Sequence, residues 1–251
     1  MGIDTAETTT PLKRHRKLKI ALAVLGSIIA LCAIGFFVYA SDYYHADPTA
    51  QAIAQTDETL QVAGRYTILA PDGPSDTALI FYPGAKVEST PYLPLLEQLK
   101  DRGITCVLVQ MPFNMAIFDV DTADGAFDLV KGIDHWFIGG HSMGGAMASS
   151  YASQHQYSVQ GLILLGAYVY GGYPTENALT IYGTLNTSVA EKIDYTDNIV
   201  IIDGGNHAQF GNYGKQSGDP DATISAEAQQ AIAVDAIMDF IDEKEEGAAE
   251  E

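Results

Sequence analysis

The most constraining feature of the sequence is the pentapeptide Gly-His-Ser-Met-Gly at residues 140–144, together with its context. An apolar run, 136–139, precedes it and a run of small residues, 146–154, follows it, which predicts a strand, a sharp turn and a helix. Glycines give the chain the room to reverse so tightly. A serine at the tip of such a turn, Ser142, is presented as a nucleophile if a base removes its hydroxyl proton.

The rest of the chain alternates between strand-like and helix-like segments. The strand-like runs are residues 66–69, 78–82, 105–110, 136–139, 161–165, 179–183 and 199–203. Most are apolar on both faces, which is typical of parallel strands covered by helices on each side. Residues 92–101 carry leucines at helical spacing, and Ser225 is placed to cap a last helix with one apolar stripe. This alternation predicts an α/β fold with a doubly wound, mostly parallel sheet.

A separate apolar segment precedes this pattern. Residues 20–40 carry no charge and as a helix would reach about 31 Å, which is enough to cross a bilayer. Five basic residues lie just before the segment, whereas no Lys or Arg follows it until Arg65. The positive-inside rule therefore predicts a transmembrane anchor over 20–40, with the basic segment 1–19 in the cytoplasm.

A secretory signal peptide is the alternative interpretation, because Ala40 ends the segment with a small residue suited to cleavage. Apolar cores of signal peptides run only about 7–15 residues, so the length favours an uncleaved anchor. The remainder of the protein would then be extracytoplasmic and anchored, or secreted if cleavage occurs. We expect a linker over 41–59, a folded domain over 60–242 and a solvated acidic tail over 243–251.

Charge and missing motifs exclude several classes of partner. The chain has a formal net charge of −19, and residues 20–251 alone carry −22, so nucleic acids and anionic lipid headgroups are disfavoured as partners of the domain. Nucleotide-binding glycine motifs and paired Cys or His spacings for a metal do not occur. We therefore predict no metal and no organic cofactor.

A base for Ser142 is expected at the carboxyl edge of the predicted sheet. His207 lies just after the strand 199–203 and so emerges at the same edge as Ser142. A loop histidine without a catalytic role is the alternative. Two backbone amides should stabilise the oxyanion, one from Met143, which follows the serine, and one from Ala85, in the glycine turn after the strand 78–82.

Four segments in this order, residues 81–87, 110–114, 139–145 and 204–211, together resemble the α/β-hydrolase superfamily, in particular its small bacterial fold-5 family without a lid domain. The similarity spans about residues 60–240. The resemblance implies a minimal α/β-hydrolase fold and a Ser142–His207 hydrolase. The resemblance gives a type of reaction without a particular substrate. Our interpretation is that the protein cleaves a carboxylic ester or related acyl bond of a small molecule through an acyl-serine intermediate.

One position departs from the family pattern. Family members place an Asp after the strand corresponding to 179–183, in a pattern G-[ST]-x-D, whereas residues 183–186 here read Gly-Thr-Leu-Asn. Asn186 can orient His207 without supplying charge, and the same change in a protease triad lowers turnover about 10⁴-fold. Asn186 is our first candidate for the third catalytic residue, and Glu176, just before that strand, is the second.

The short connection 167–178 leaves no room for a lid and contains two tyrosines near the predicted site. Tyr168 and Tyr170 either form an aromatic wall for an acyl group or pack on their own loop. Besides a serine hydrolase, two hypotheses stay open: a non-catalytic hydrolase-like binding module, suggested by Asn186, and an acyltransferase that uses the same residues.

Overall fold

The computed structural model describes residues 12–249; parts of the predicted basic segment, 1–11, and of the predicted acidic tail, 250–251, lie outside the described residues. The chain divides into two compact units between Asp42 and Tyr43. Helix α1 (Leu12–Ser41) belongs to the first unit. Its portion Arg16–Ser41 is long and apolar enough to cross a membrane and includes the predicted span 20–40.

The second unit is built around one eight-stranded sheet. The strands are β1 (Gln61–Ala63), β2 (Tyr66–Leu69), β3 (Thr77–Tyr82), β4 (Thr105–Val109), β5 (His135–His141), β6 (Gly161–Leu165), β7 (Ala178–Gly183) and β8 (Ile199–Ile202). Their order across the sheet is β1-β2-β4-β3-β5-β6-β7-β8. Strands β3 to β8 run parallel, while β1 and β2 are antiparallel additions at one edge. The predicted α/β fold with a mostly parallel sheet is confirmed.

Helices cover both faces of this sheet. They are α2 (Pro48–Thr56), α3 (Leu93–Lys100), α4 (Asp124–Leu129), α5 (Met143–Gln154), α6 (Thr187–Ala190) and α7 (Ala226–Ala249). One core cluster joins α3 and α7 to the sheet through Leu96, Leu99 and Ile237. The other joins α4 and α5 to the opposite face through Ala126 and Tyr151. The side chains of β3, β4, β6 and β7 are buried throughout, which explains why these strands are apolar on both faces.

Two terminal segments differ from the expectation. The predicted linker 41–59 contains helix α2, which Asp47 caps by accepting a hydrogen bond from the Ala50 N–H at 3.0 Å. The side chain of Ala50 is fully buried, so this segment is part of the folded unit. Helix α7 continues through most of the predicted acidic tail. Glu243 and Glu246 are exposed, whereas Glu245 is partly buried and accepts a hydrogen bond from the Thr77 hydroxyl at the start of β3.

Candidate active site

Ser142 stands at the turn between β5 and α5 in a backbone conformation that residues other than glycine rarely adopt, with φ 54° and ψ −123°. Its N–H donates to the carbonyl of Leu165 on the neighbouring strand at 2.9 Å, and its carbonyl accepts the first bond of α5 from Ala146. A Cβ atom at Gly144 would lie 2.2 Å from the carbonyl oxygen of Tyr82. The glycine is therefore required for α5 to start so close to β3, and the strained serine is held by its surroundings.

His207 follows β8 and lies on the same sheet edge as Ser142, because β5 and β8 are parallel. Its Nδ1 atom lies 2.8 Å from Nδ2 of Asn186, which is buried at the start of α6. The Ser188 hydroxyl donates to Asn186 Oδ1 at 3.1 Å. A Cβ at Gly166 would approach His207 Nδ1 to 2.9 Å, so the imidazole packs directly on this glycine.

The loop that carries His207 is fixed from several directions. The two carboxylate oxygens of Asp219 accept the N–H groups of His207, at 3.2 Å, and Ala208, at 2.8 Å. The fully buried Gln229 on α7 exchanges two hydrogen bonds with the backbone of Asn206, at 2.9 and 3.0 Å. These residues restrict the position of the histidine before any substrate binds.

A buried hydrogen-bonded chain joins the loop of the predicted oxyanion amide to the loop of the predicted base. The Gly84 N–H donates to the Tyr92 hydroxyl at 2.9 Å, and that hydroxyl lies 2.8 Å from His141 Nδ1. His141 Nε2 lies 2.9 Å from the carbonyl oxygen of His207. A carbonyl only accepts, so His141 Nε2 carries the proton, and its Nδ1 accepts from the Tyr92 hydroxyl. His141 is therefore a neutral connecting residue.

Burial is the main influence on both histidines. It lowers the pKa of His141 well below its usual value, and the nearby His207 lowers it further, whereas the hydrogen bond to the His207 carbonyl acts in the opposite direction. Burial also lowers the pKa of His207, and the Asp219 carboxylate partly offsets this effect. His207 is consequently neutral at pH 7, which is the state that a general base needs.

Ser142 and His207 line one cavity of about 620 Å³. Its polar lining residues include Asn186, Lys192 and Asp219. Its apolar lining residues are Met143, Ala146, Ala167, Tyr168, Leu185 and Val189. The cavity thus combines a nucleophile and a potential base with an apolar surface of the size that binds small organic ligands.

The structure separates the two tyrosines that the sequence had grouped. Tyr168 lines the cavity, whereas Tyr170 does not and is 54% exposed. The backbone of Tyr170 is bound through its N–H and carbonyl to the Ser149 hydroxyl on α5. Of the two tyrosines, only Tyr168 is therefore placed to contact a ligand in this cavity, and the candidate role of Tyr170 in substrate binding is not supported.

Glu176, the second candidate for the third catalytic position, is also misplaced. It lies just before β7, at the amino edge of the sheet, whereas His207 follows the carboxyl end of β8. Its backbone carbonyl accepts hydrogen bonds from Asn198 and Lys244, and its side chain is exposed. A parallel strand puts these two positions at opposite edges, so Glu176 cannot orient His207.

The two predicted oxyanion amides lie on loops that frame Ser142. Met143 is the first residue of α5, so its N–H has no carbonyl partner within the helix. The amides on either side of Ala85 are in use, from Gly84 to Tyr92 and from Lys86 to the Asn114 carbonyl. Within residues 12–249, no hydrogen bond occupies the Ala85 N–H. Both amides are thus available to a ligand.

Three residues of this site were not predicted from the sequence: Asp219, Tyr92 and Gln229. Each binds a backbone group that lies 8 to 23 positions away in the chain, and no local motif indicates such a contact. Residues 12–249 contain no cluster of three or more His, Cys, Asp or Glu side chains arranged to hold a metal ion.

Comparison with known proteins identifies the fold independently. A family model described as the alpha/beta hydrolase family matches residues 78–231. No curated protein matches the sequence.

Among solved structures, MenH from S. aureus has a TM-score of 0.53 at 13% identity, covering 73% of this chain and 100% of its own. A ferulic acid esterase from Streptomyces cinnamoneus has a TM-score of 0.52 at 16% identity, covering 69% and 68%. Est1E from Butyrivibrio proteoclasticus has a TM-score of 0.51 at 13% identity, covering 72% and 97%. At these identities the three structures establish a shared fold. With the model match spanning more than half of the sequence, the chain belongs to the alpha/beta hydrolase family.

Proposed function

We propose that this protein is a membrane-anchored, extracytoplasmic serine hydrolase that cleaves carboxylic esters or related acyl bonds. The main supporting observation is the shared cavity of Ser142, on its strained turn, and His207, whose Nδ1 atom contacts Asn186. A hydrolase activity is also what membership of the family favours. The ferulic acid esterase among the structures of similar fold is consistent with an ester as the substrate.

In the proposed reaction, His207 Nε2 takes the Ser142 proton as Oγ attacks the substrate carbonyl carbon. The amides of Met143 and Ala85 stabilise the resulting oxyanion, and the imidazolium returns its proton to the leaving alcohol as the C–O bond breaks. Water, deprotonated by the same imidazole, then attacks the acyl-serine. The carboxylic acid leaves as the proton returns to Ser142 Oγ.

This reaction requires His207 to carry its resting proton on Nδ1. Rotation of the Asn186 amide by a half-turn would present Oδ1 to that Nδ1–H, and the Ser188 hydroxyl can then accept from Nδ2. The buried amide has partners in either orientation. Asn186 is therefore proposed as the orienting residue.

Labelling with a fluorophosphonate tests the assignment of the nucleophile. We expect the probe to label the full-length wild-type protein and not to label the Ser142→Ala variant. Ser217→Ala serves as the matched control, because Ser217 lines the same cavity on a different loop, and it should label normally. If both variants still react, the nucleophile is elsewhere.

One observation favours a second candidate, a hydrolase-like binding module. With Asn186 Nδ2 donating to His207 Nδ1, the ring proton sits on Nε2 and the histidine cannot accept a proton from Ser142. This candidate predicts a folded protein that neither labels nor turns over any ester.

Membrane attachment is part of the proposal. The apolar side chains along α1, such as Leu22 at 59% and Leu31 at 68% exposure, would be costly in water and are suited to lipid. Protease treatment of intact cells should digest the catalytic unit while residues 12–41 stay with the membrane. Recovery of a soluble protein that begins after Ala40 would instead identify a cleaved signal peptide.

A further inference from the structure

Two parts of the candidate active site lie on loops that the sheet itself does not bring together. The Ala85 amide follows β3 and His207 follows β8, and the strands β5, β6 and β7 lie between these two in the sheet. Hydrolysis at Ser142 needs the oxyanion donor and the base at fixed positions, because a misplacement of about 1 Å can lower the rate about 100-fold. A direct connection between the two loops therefore bears on catalysis.

The direction of the Ala85 N–H is set by the hydrogen bonds of Gly84. In a trans peptide the N–H points opposite to the carbonyl of the same plane, and the Gly84 carbonyl accepts from the Val87 N–H at 3.2 Å. This bond turns the Ala85 N–H away from Val87. The Gly84 N–H donates to the Tyr92 hydroxyl at 2.9 Å, which fixes the preceding peptide plane. Tyr92 acts through its side chain, so a substitution can remove this bond alone.

Tyr92 and His141 fill the space between the two loops, and both are buried, with 0% and 1% exposure. A Cβ atom at Gly84 would lie 2.8 Å from His141 Nδ1 and 3.0 Å from the Tyr92 hydroxyl, so the loop of Ala85 packs directly on both side chains. The rings of His141 and His207 lie 4.6 Å apart, measured between their centres. His141 Nε2 also lies 2.9 Å from the His207 carbonyl oxygen. One pair of side chains thus contacts both loops.

The hydrogen bonds of this pair run in one direction. The Tyr92 oxygen accepts from Gly84, its proton is donated to His141 Nδ1, and the His141 proton on Nε2 is donated to the His207 carbonyl. Each polar atom of the two side chains has a partner. Removal of one member leaves a buried donor or acceptor unpaired, and this cost is relieved if the loop backbone shifts. A change at Tyr92 therefore affects the positions of both loops.

We propose that Tyr92 and His141 are positioning residues that hold the oxyanion amide of Ala85 and the base His207 in fixed geometry around Ser142. This role rests on the proposed hydrolysis and adds two residues that do not line the substrate cavity. The pair consequently leaves substrate binding unchanged. It stabilises the transition state, in which the oxyanion and the imidazolium are present together.

The first test compares two substitutions that each remove one buried hydroxyl. In full-length Tyr92→Phe, kcat for p-nitrophenyl acetate should fall at least about tenfold while KM stays within about twofold. A trifluoromethyl ketone, to which Ser142 adds to form a tetrahedral oxyanion, should bind more weakly by about the same factor. Tyr82→Phe is the matched control, because Tyr82 is fully buried and its hydroxyl likewise accepts a backbone N–H, from Ala123, and donates to a carbonyl, of Val120. It should change kcat and inhibitor affinity less than about twofold.

The outcomes separate this role from the proposed function. An active wild-type protein whose folded Tyr92→Phe variant keeps its kcat and its inhibitor affinity refutes the role alone. An equal loss of kcat in Tyr82→Phe also refutes it, since the effect would then be a general loosening of the core. A wild-type protein that hydrolyses no ester refutes the proposed function, and the role is refuted with it.

Two further measurements test the chain itself. His141→Phe keeps an aromatic ring but removes both hydrogen bonds, and its combination with Tyr92→Phe should lower kcat no more than about threefold beyond the larger single loss, because the two residues act in one chain. A combined loss equal to the product of the single losses overturns the chain. In the wild-type protein, ¹⁵N spectra of the histidine rings should show His141 neutral with its proton on Nε2 between about pH 6 and about pH 8. A proton on Nδ1 overturns the proposal without reference to any variant of Tyr92.

Discussion

Replacement of Asn186 by Asp is the most direct probe of the candidate active site. The amide that now contacts His207 Nδ1 can donate to it and can bear no charge, whereas a carboxylate can only accept. The carboxylate introduced by Asn186→Asp would therefore hold the proton on Nδ1 and leave Nε2 free to deprotonate Ser142. It would also stabilise the imidazolium that forms during the reaction.

The gain follows from the charge that forms on the imidazole during the reaction. At the 2.8 Å separation, unit charges attract by about 6 kcal/mol with an effective dielectric constant near 20. Position 186 is only 4% exposed, so burying a carboxylate there is costly, but this cost is the same in the ground state and in the transition state and lowers the free energy of unfolding rather than kcat. The attraction therefore sets an upper limit of roughly 10⁴-fold on the rise in kcat.

The assay is kcat for a p-nitrophenyl ester between pH 5 and pH 9. Asn186→Asp should raise kcat and move its acidic limb to higher pH, because a carboxylate raises the pKa of the imidazole. Thr187→Asp is the matched control: it adds the same charge to the same cavity on the neighbouring residue, and it should change kcat less than threefold. An unchanged or lower kcat in a folded Asn186→Asp protein would refute the assigned role of position 186.

Three further predictions concern the surroundings of His207. Asp219 raises the pKa of this histidine, so Asp219→Asn should shift the acidic limb of kcat/KM to lower pH and should also lower kcat several-fold. The control variant Asp221→Asn, at an exposed position, should change neither the limb nor kcat. If the two variants have identical pH profiles, Asp219 has no role in setting the pKa of His207. Burial lowers the pKa of His141 and His207 below the value of about 6.5 of an unfolded chain, so the unfolded chain binds more protons below that pH. Calorimetry should therefore show a constant Tm above about pH 7 and a falling Tm from about pH 6.5 to 5, and a flat profile would be incompatible with buried neutral histidines. Gly166 has φ 54°, and Gly166→Ala would put a methyl group 2.9 Å from His207 Nδ1. We expect this variant to lose about 1–2 kcal/mol in the free energy of unfolding, measured by urea denaturation, and at least tenfold in kcat, measured by ester turnover. Normal activity in that variant would show that the imidazole does not need its present position.

Strand positions were accessible from the sequence because buried parallel strands are apolar on both faces and few other patterns share that property. Strand β6 begins and ends as predicted, at Gly161 and Leu165. The edge strand β1 was missed, because it is three residues long and largely exposed, with Val62 at 73% exposure. Helix α2 was taken for a linker, because its buried side is a single alanine, Ala50, which carries no periodic signal.

The candidate site divides in the same way. Local patterns indicate both Ser142, which lies on a glycine-flanked turn, and His207, which lies just after a strand. Glu176 was the second candidate because it lies close to the same strand, and the direction of β7 shows that it lies at the wrong edge of the sheet. Asp219 could not be ranked from sequence, since its contact with the His207 backbone depends on how the loop after β8 returns.

The sequence by itself determined the class of fold, the strained turn at Ser142 and an apolar helix long enough for a bilayer, because each depends on residues close together in the chain. Tertiary structure decided which polar groups surround His207 and which tyrosine lines the cavity. These are contacts between distant segments, and their formation depends on how helices and strands pack, which no local pattern encodes.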